Sequence, residues 1–283
     1  MAEQQQEFVL ACIDQSTIAE AVVDYASWIS QRTGAPLRLQ HNVEHPITPD
    51  SANFSGALGL GEQTQLLQDL ADVEAKRNKL QVEQGKTLLA AAKERAENAG
   101  ANAVISKQRH GDLTEAVIAL EDRIRVMVMG IRGEQHEANG KLGAHLEAVG
   151  RALHKPILVV NQPFTQPKKF LLYVDDSDAC QRALEFVTKS PLYTGLQCVL
   201  AYEEDCKCHE DARIAIDRAG IDVQEHKVSS DDTVASITSL MASEQLDIMV
   251  MGAFRHTKIH DIFFGSFTAK VLKATNKPVL LLR

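Results

Sequence analysis

Short apolar runs recur along the chain at 7–13, 36–43, 102–107, 125–129 and 156–160. Between them, near 17–32, 64–99, 113–121 and 144–153, apolar residues return at helical spacing. Short buried runs alternating with amphipathic stretches predict βαβ units, a parallel sheet and right-handed crossovers. The same order follows a second time, with strands near 170–174, 196–202, 222–228, 247–251 and 278–282. Its helix near 208–219 is much shorter than the 64–99 counterpart.

The pattern repeats in detail. Met127-Val-Met-Gly130 recurs as Met249-Val-Met-Gly252, and each copy leads to Lys-Pro and four apolar residues (Lys155-Pro156, Lys277-Pro278). From the glycine to the proline is 26 residues in both copies, 156 − 130 and 278 − 252. Upstream, Phe8 to Asp14-Gln-Ser16 pairs with Phe170 to Asp175-Asp-Ser177. Three matches in one order indicate a duplicated domain. From that Asp to the repeated glycine is 116 residues in the first copy and 77 in the second, so the first carries 39 extra after its second strand. The expected units are 1–161, with the long helical insertion, and 168–283, joined by a linker rich in proline and polar residues.

Composition narrows the function. Thirty basic against 38 acidic residues give a net charge of −8, and 5% of residues are aromatic. A basic nucleic-acid face and a base-stacking platform are therefore unexpected. No apolar run is long enough to span a bilayer, and residues 1–7 lack the basic start and apolar core of a signal peptide. Five cysteines, an odd number, fit reduced thiols, so a cytoplasmic location is expected.

Ligands of open parallel sheets bind beyond the carboxyl ends of the strands, where strand order reverses. Asp14 and Asp175 follow the first strands; Gly130-Ile-Arg-Gly133 and Gly252-Ala-Phe-Arg255 follow the fourth. Gly143-Ala144 and Gly265-Ser266 then open a helix. Glycines let backbone N–H groups approach a phosphate, and the helix N-terminus adds unpaired donors and a positive dipole end.

This Gly-x2-Gly-x9-Gly-(Ser/Thr) pattern resembles the universal stress protein family, as does the Asp-x-Ser of the first strand, over nearly the whole chain as two tandem domains. The resemblance implies two doubly wound α/β domains, each with a five-stranded parallel sheet of adenine nucleotide α-hydrolase-like type. It also implies that the two pair through their last strands as an intramolecular pseudo-dimer. In its ATP-binding branch the glycine loop holds phosphates, the first-strand Asp faces the adenosine, and the second strand's end contacts adenine. Those positions are Asp14, Val43, Gly130, Gly133, Gly143 and Ala144 in the first half, with Gly111 after the third strand. In the second half they are Asp175, Tyr202, Gly252, Arg255, Gly265 and Ser266. Ala144 and Arg255 depart from the motif, and Ser230-Asp231-Asp232 stands where Gly111 would be, so the first half is favoured for ATP, with or without Mg. The expectation is a stress-response protein signalling through conformation or an unknown protein partner. A scaffold with degenerate loops and a slow ATPase are the alternatives, and further homodimerisation is left open.

Each signal has a plainer reading. Asp14 and Asp175 can cap the helices that follow. His145 and His256 invite a general-base role, but solvated loop histidines are commoner, and no Ser-His-Asp or Cys-His constellation stands out. Cys206-Lys-Cys208-His209 gathers zinc ligands without the paired Cys-x2-Cys of common structural sites; the alternative is a reduced, exposed loop. The glycine-rich 54–61 stretch does not sit between a strand and a crossover helix, and reads as a flap. Leu66, Leu70, Val73 and Leu80 form a stripe expected to face the core, with a partner surface or apolar-ligand lid as the sharper alternative.

Overall fold

A computed structural model describes residues 6–43, 60–133, 142–253 and 266–283, with side chains in the helix starting at Leu60 described from residue 68 onward. The first half runs β1 (Phe8–Cys12), α1 (Ala19–Thr33), β2 (Leu37–Val43), α2 (Leu60–Asn98), β3 (Ile105–His110), α3 (Leu113–Ile118), β4 (Ile124–Gly130), α4 (Ala144–Ala152) and β5 (Ile157–Val160). The second runs β6 (Lys169–Val174), α5 (Asp178–Lys189), β7 (Gln197–Tyr202), α6 (His209–Arg218), β8 (Asp222–Lys227), α7 (Thr233–Ser243), β9 (Ile248–Gly252), α8 (Ser266–Ala274) and β10 (Val279–Leu282).

These strands form one ten-stranded sheet in the order β3-β2-β1-β4-β5-β10-β9-β6-β7-β8. All neighbours are parallel except β5 and β10, which run antiparallel with Leu158 opposite Leu280. The two halves therefore meet through their last strands, as the tandem reading requires. The period-2 pleat explains the repeated Met-Val-Met: Val126 and Val128 face the layer of α1, α2, α5 and α6, whereas Met127 and Met129 face that of α3, α4, α7 and α8. The repeated prolines stand just before β5 and β10, where no ladder N–H is needed; their carbonyls accept from Met127 N and Met249 N, both at 2.9 Å. The outermost strands, β3 (ISKQRH) and β8 (DVQEHK), are charged, as exposed sheet edges require.

Two expectations are corrected. The third strand begins at Ile105 rather than 102 because residues 102–104 turn: Asn102 N and Nδ2 donate to Ser30 Oγ and Ser30 O, and Ala103 adopts φ +40°. The leucine stripe does not face the core. Leu70, Val73 and Leu80 are 48%, 62% and 59% exposed, and the buried positions of α2 are Leu89, Ala92 and Ala96. Length explains this: 39 residues of helix extend about 58 Å, whereas a six-residue strand beneath spans about 20 Å. Only the C-terminal part of α2 finds sheet to pack on. Leu66 and the 54–61 stretch lie outside the described side chains.

Candidate functional site

A cavity of about 290 Å³ opens at the carboxyl ends of β1, β2 and β4, at the small end of the range for ligand pockets. Asp14, Val43, Gly130, Gly133, Gly143 and Ala144, all named from sequence, line it together. Gly111 does not line it. At φ +102° it makes the turn after β3, its N–H donating to Val43 O, which fixes the rim.

The glycines are required by close approach. A Cβ on Gly130 would lie 2.7 Å from Ile18 Cγ2, and one on Gly143 3.3 Å from Ile131 O and Arg132 Cα. One on Gly133 would lie 3.1 Å from Asp14 Oδ2, so the carboxylate sits directly beside the glycine turn. Gly143 N donates to Ile131 O at 3.0 Å, closing the turn. Gly143 is also the N-cap of α4 and offers no side-chain cap, so the positive end of that helix meets the cavity through Ala144 and His145. Asp14 Oδ1 accepts from Ser16 N at 3.1 Å and Ser16 Oγ at 2.5 Å, which sets the carboxylate's direction without a helix cap of its own.

The structure adds wall residues that sequence reasoning missed. Gln40 is fully buried, and its Nε2 donates to Asn42 Oδ1 at 3.1 Å. Arg132, whose backbone lies against Gly130 and Gly143, also lines the cavity. Burial pushes the Cys12 thiol up to about 12, so it lines the cavity as a neutral group. Gln81 comes from the long insertion helix, and its buried Oε1 has no hydrogen-bond partner among the described residues. Gly85, one turn further along α2, lets the helix settle on the strands: a Cβ there would lie 2.5 Å from Gln108 Nε2 and 2.6 Å from His41 Cδ2. An orphaned acceptor is costly unless a ligand donor meets it. Together with glycine turns that a Cβ would crowd and an uncapped helix N-terminus, it fits a molecule carrying both an anion and hydrogen-bond donors. A nucleotide has both.

The second half is built differently at the same place. Counting back from the matched aspartates, Tyr173 stands where the first half has Cys12; counting on from the matched Gly143 and Gly265, Phe267 stands where it has His145. The two rings lie 5.4 Å apart, and Tyr173 is 2% exposed. The Tyr173 hydroxyl donates to Glu203 Oε1 at 3.0 Å, and Thr233 Oγ1 donates to the same oxygen at 2.7 Å. Among the described residues, two aromatic rings thus replace Cys12 and His145, and a buried carboxylate holds the hydroxyl of the inner one.

Asp175 Oδ1 accepts from Ser177 N and Oγ, and Ser177 caps α5. Tyr202 leaves the expected adenine position and stacks on His209, ring centroids 4.2 Å apart. Gly252 is pressed against α5, where a Cβ would lie 2.8 Å from Ala179 Cβ. Ser266 and Phe267 line an open cleft with Asp231, Asp232, Thr233 and Lys270. Arg255, His256 and Gly265 lie outside the described residues.

The zinc-ligand reading of Cys206, Cys208 and His209 also changes. His209 Nδ1 lies 3.4 Å from Glu225 Oε1, and the third group drawn to the two thiols is Asp176. Cys206 is buried, so this is not an exposed loop.

The fold and its strand-end cavity define a class: a doubled, doubly wound α/β protein with a glycine-turn pocket. The model of the Universal stress protein family matches residues 7–161 and 189–283. A universal stress protein of Synechocystis, Slr1230, is 30% identical over 287 residues, covering 97% of this chain and 99% of its own. The chain belongs to the universal stress protein family. Among solved structures, a universal stress protein from Archaeoglobus fulgidus superposes with a TM-score of 0.69 at 17% identity, covering 99% of this chain and 97% of the other. One from Pseudomonas aeruginosa gives 0.60 at 15%, covering 100% and 95%. These two share the fold. No helix among the described residues is long and apolar enough to cross a membrane.

Proposed function

We propose that the first domain binds adenine nucleotide, ATP above all, and that the protein acts in the stress response by conformational signalling or partner binding. The observation carrying this reading is the first-half cavity, bounded by Gly130, Gly133 and Gly143 and holding the orphaned Gln81 oxygen. Asp14 and Val43 address the adenosine; Gly130, Gly133, Gly143 and the Ala144 N–H hold the phosphates, with Arg132 beside them. Mg, if bound, would share the negative charge between phosphates and Asp14. Hydrolysis is expected to be slow, since neither half shows a dedicated nucleophile and base.

The rings of Tyr173 and Phe267 at the positions of Cys12 and His145 favour an accompanying reading, in which that domain serves as a pairing platform rather than a second ATP site. Thermal denaturation with and without ATP tests the proposal. ATP raises the midpoint of the wild type; Gly133→Asp, which adds a carboxylate beside the phosphates and Asp14, abolishes the rise; Arg255→Asp leaves it. No rise in the wild type would refute nucleotide binding, and a rise surviving Gly133→Asp would refute the site.

A further inference from the structure

The second half carries a cluster of thiols that the nucleotide reading does not use. Cys206 and Cys208 stand between β7 and α6, with their Sγ atoms 3.5 Å apart. Cys206 Sγ lies 3.8 Å from Asp176 Oδ1, and the ligand atoms of these three residues all fall within 4.8 Å of one another. A third thiol, the buried Cys180 of α5, adjoins the group through Asp175, whose carbonyl accepts from Cys208 and whose N–H donates to Cys180.

The polypeptide braces the group from two sides. Asp175 N donates to Cys180 Sγ at 3.4 Å, while Asp175 O accepts from the Cys208 thiol at 3.2 Å. Asp176 Oδ1 accepts from Lys207 N at 2.9 Å and Cys208 N at 3.1 Å, tying the Cys-x-Cys turn to the start of α5. Two sulfurs and a carboxylate thus converge from two segments far apart in sequence.

We propose that Cys206 and Cys208, with Asp176 as the third group, form a site for a thiophilic closed-shell cation, zinc(II) or copper(I). A tetrahedral ion with bonds of about 2.3 Å to sulfur and about 2.0 Å to oxygen sets edges of roughly 3.8 Å between sulfurs and roughly 3.5 Å from sulfur to oxygen. The observed separations, 3.5 Å and 3.8 Å, already have that size. A disulfide would instead need the sulfurs to close to about 2.05 Å. Each thiol releases one proton to solvent on binding. Two thiolates beside a carboxylate repel one another and require the cation that balances them. The Lys207 and Cys208 N–H groups orient the Asp176 carboxylate as second-layer donors do in metal sites. The sequence signal for this site was Asp176: the first half has Gln15 there and no cysteine pair after β2.

The test uses the full chain, reduced and kept free of oxygen. Cobalt(II) is titrated as an optical probe, then displaced by zinc(II) in one arm and by copper(I), delivered as a chelate, in the other. The expected result is one cobalt per chain with intense thiolate-to-cobalt charge-transfer absorption, removed by at least one of the two ions. Cys206→Ser and Cys208→Ser abolish the absorption, whereas His209→Gln keeps it. Cys208 is only partly buried, so its serine variant is the one relied on to remain folded, checked by circular dichroism. Absence of the absorption with all thiols reduced would overturn the site, as would its survival in Cys208→Ser or formation of a Cys206–Cys208 disulfide as the sole reaction. The ATP-dependent rise in midpoint persists in Cys208→Ser, so this test and that of the nucleotide pocket fail separately.

Discussion

Replacing Tyr173 by Phe removes one oxygen and leaves the ring, so it isolates the hydrogen bond that anchors this ring in the second domain. The hydroxyl donates to Glu203 Oε1 at 3.0 Å, both residues are at least nine-tenths buried, and Thr233 shares the acceptor. A hydrogen bond to a charged group contributes about 1.5–3 kcal/mol, and a neutral one about 1 kcal/mol. Tyr173→Phe is therefore expected to cost about 2 kcal/mol in the wild type. In a Glu203→Gln background, where the acceptor is a neutral carbonyl, it should cost about 1 kcal/mol. The coupling between the two residues is then about 1 kcal/mol, resolvable in a double-mutant cycle. Urea denaturation followed by circular dichroism and by Trp28 fluorescence supplies the four free energies. Coincident transitions from the two probes would show that the ten-stranded sheet unfolds as a unit. A cost for Tyr173→Phe below about 0.5 kcal/mol, or zero coupling, would refute the argument that this hydroxyl is committed to Glu203. The ATP-dependent rise in midpoint should be unchanged throughout.

Gly130→Ala and Gly252→Ala test repeat-equivalent positions with different surroundings. At Gly130 the new methyl meets the Ile18 Cγ2 methyl at 2.7 Å and the Arg132 carbonyl at 3.2 Å, so a loss of about 1 kcal/mol is expected. At Gly252 it meets Ala179 Cβ at 2.8 Å and backbone atoms at 3.0–3.1 Å, so a loss of about 2 kcal/mol is expected in urea denaturation; equal costs would contradict the two packings. Gln81→Leu removes the orphaned acceptor, so the free protein should be at least as stable while ATP affinity, read by calorimetry, falls about tenfold. Unchanged affinity would remove Gln81 from the site. For pH, Cys12 is held protonated to about 12, against an ordinary value of 9.0. The unfolded chain therefore releases a proton that the native one keeps, and this contribution is intact below pH 9 and lost as pH rises from 9 towards 12. Between those limits the slope of stability against pH in Cys12→Ala should be shallower than in the wild type, by up to about 1.4 kcal/mol per pH unit; identical slopes would contradict the buried neutral thiol.

The sheet and its doubling were legible because they are written in local patterns. The Met-Val-Met-Gly runs carry the pleat alternation, and the Lys-Pro pairs mark strand starts. The glycines of the first half were legible for the same reason, since a turn against a helix N-terminus is a short-range event. Gln81 was not, because its place depends on how far a 39-residue helix overhangs the sheet and on Gly85 letting it sit close. The exposed Leu70, Val73 and Leu80 reflect the same overhang. Tyr173 hid inside a strand that looked equivalent to its counterpart. The exchange of Cys12 for a ring at the last inward position of that strand was the available signal that the second copy differs at this place. Tyr202 was misplaced because strand parity leaves two registers open, and the stacking on His209 decides between them. Asp176 reaches Cys206 and Cys208 across 30 and 32 residues, a contact that follows from β6 and β7 being neighbours.

The central claim is an asymmetry: of two copies of one fold, the first is proposed to bind nucleotide and the second, with rings at the positions of Cys12 and His145, is not. Isothermal titration of the full chain with ATP addresses it most directly, because stoichiometry counts the open sites. The account predicts one ATP per chain, lost in Gly133→Asp and kept in Arg255→Asp. Two ATP per chain, none, or a single site that survives Gly133→Asp would contradict it.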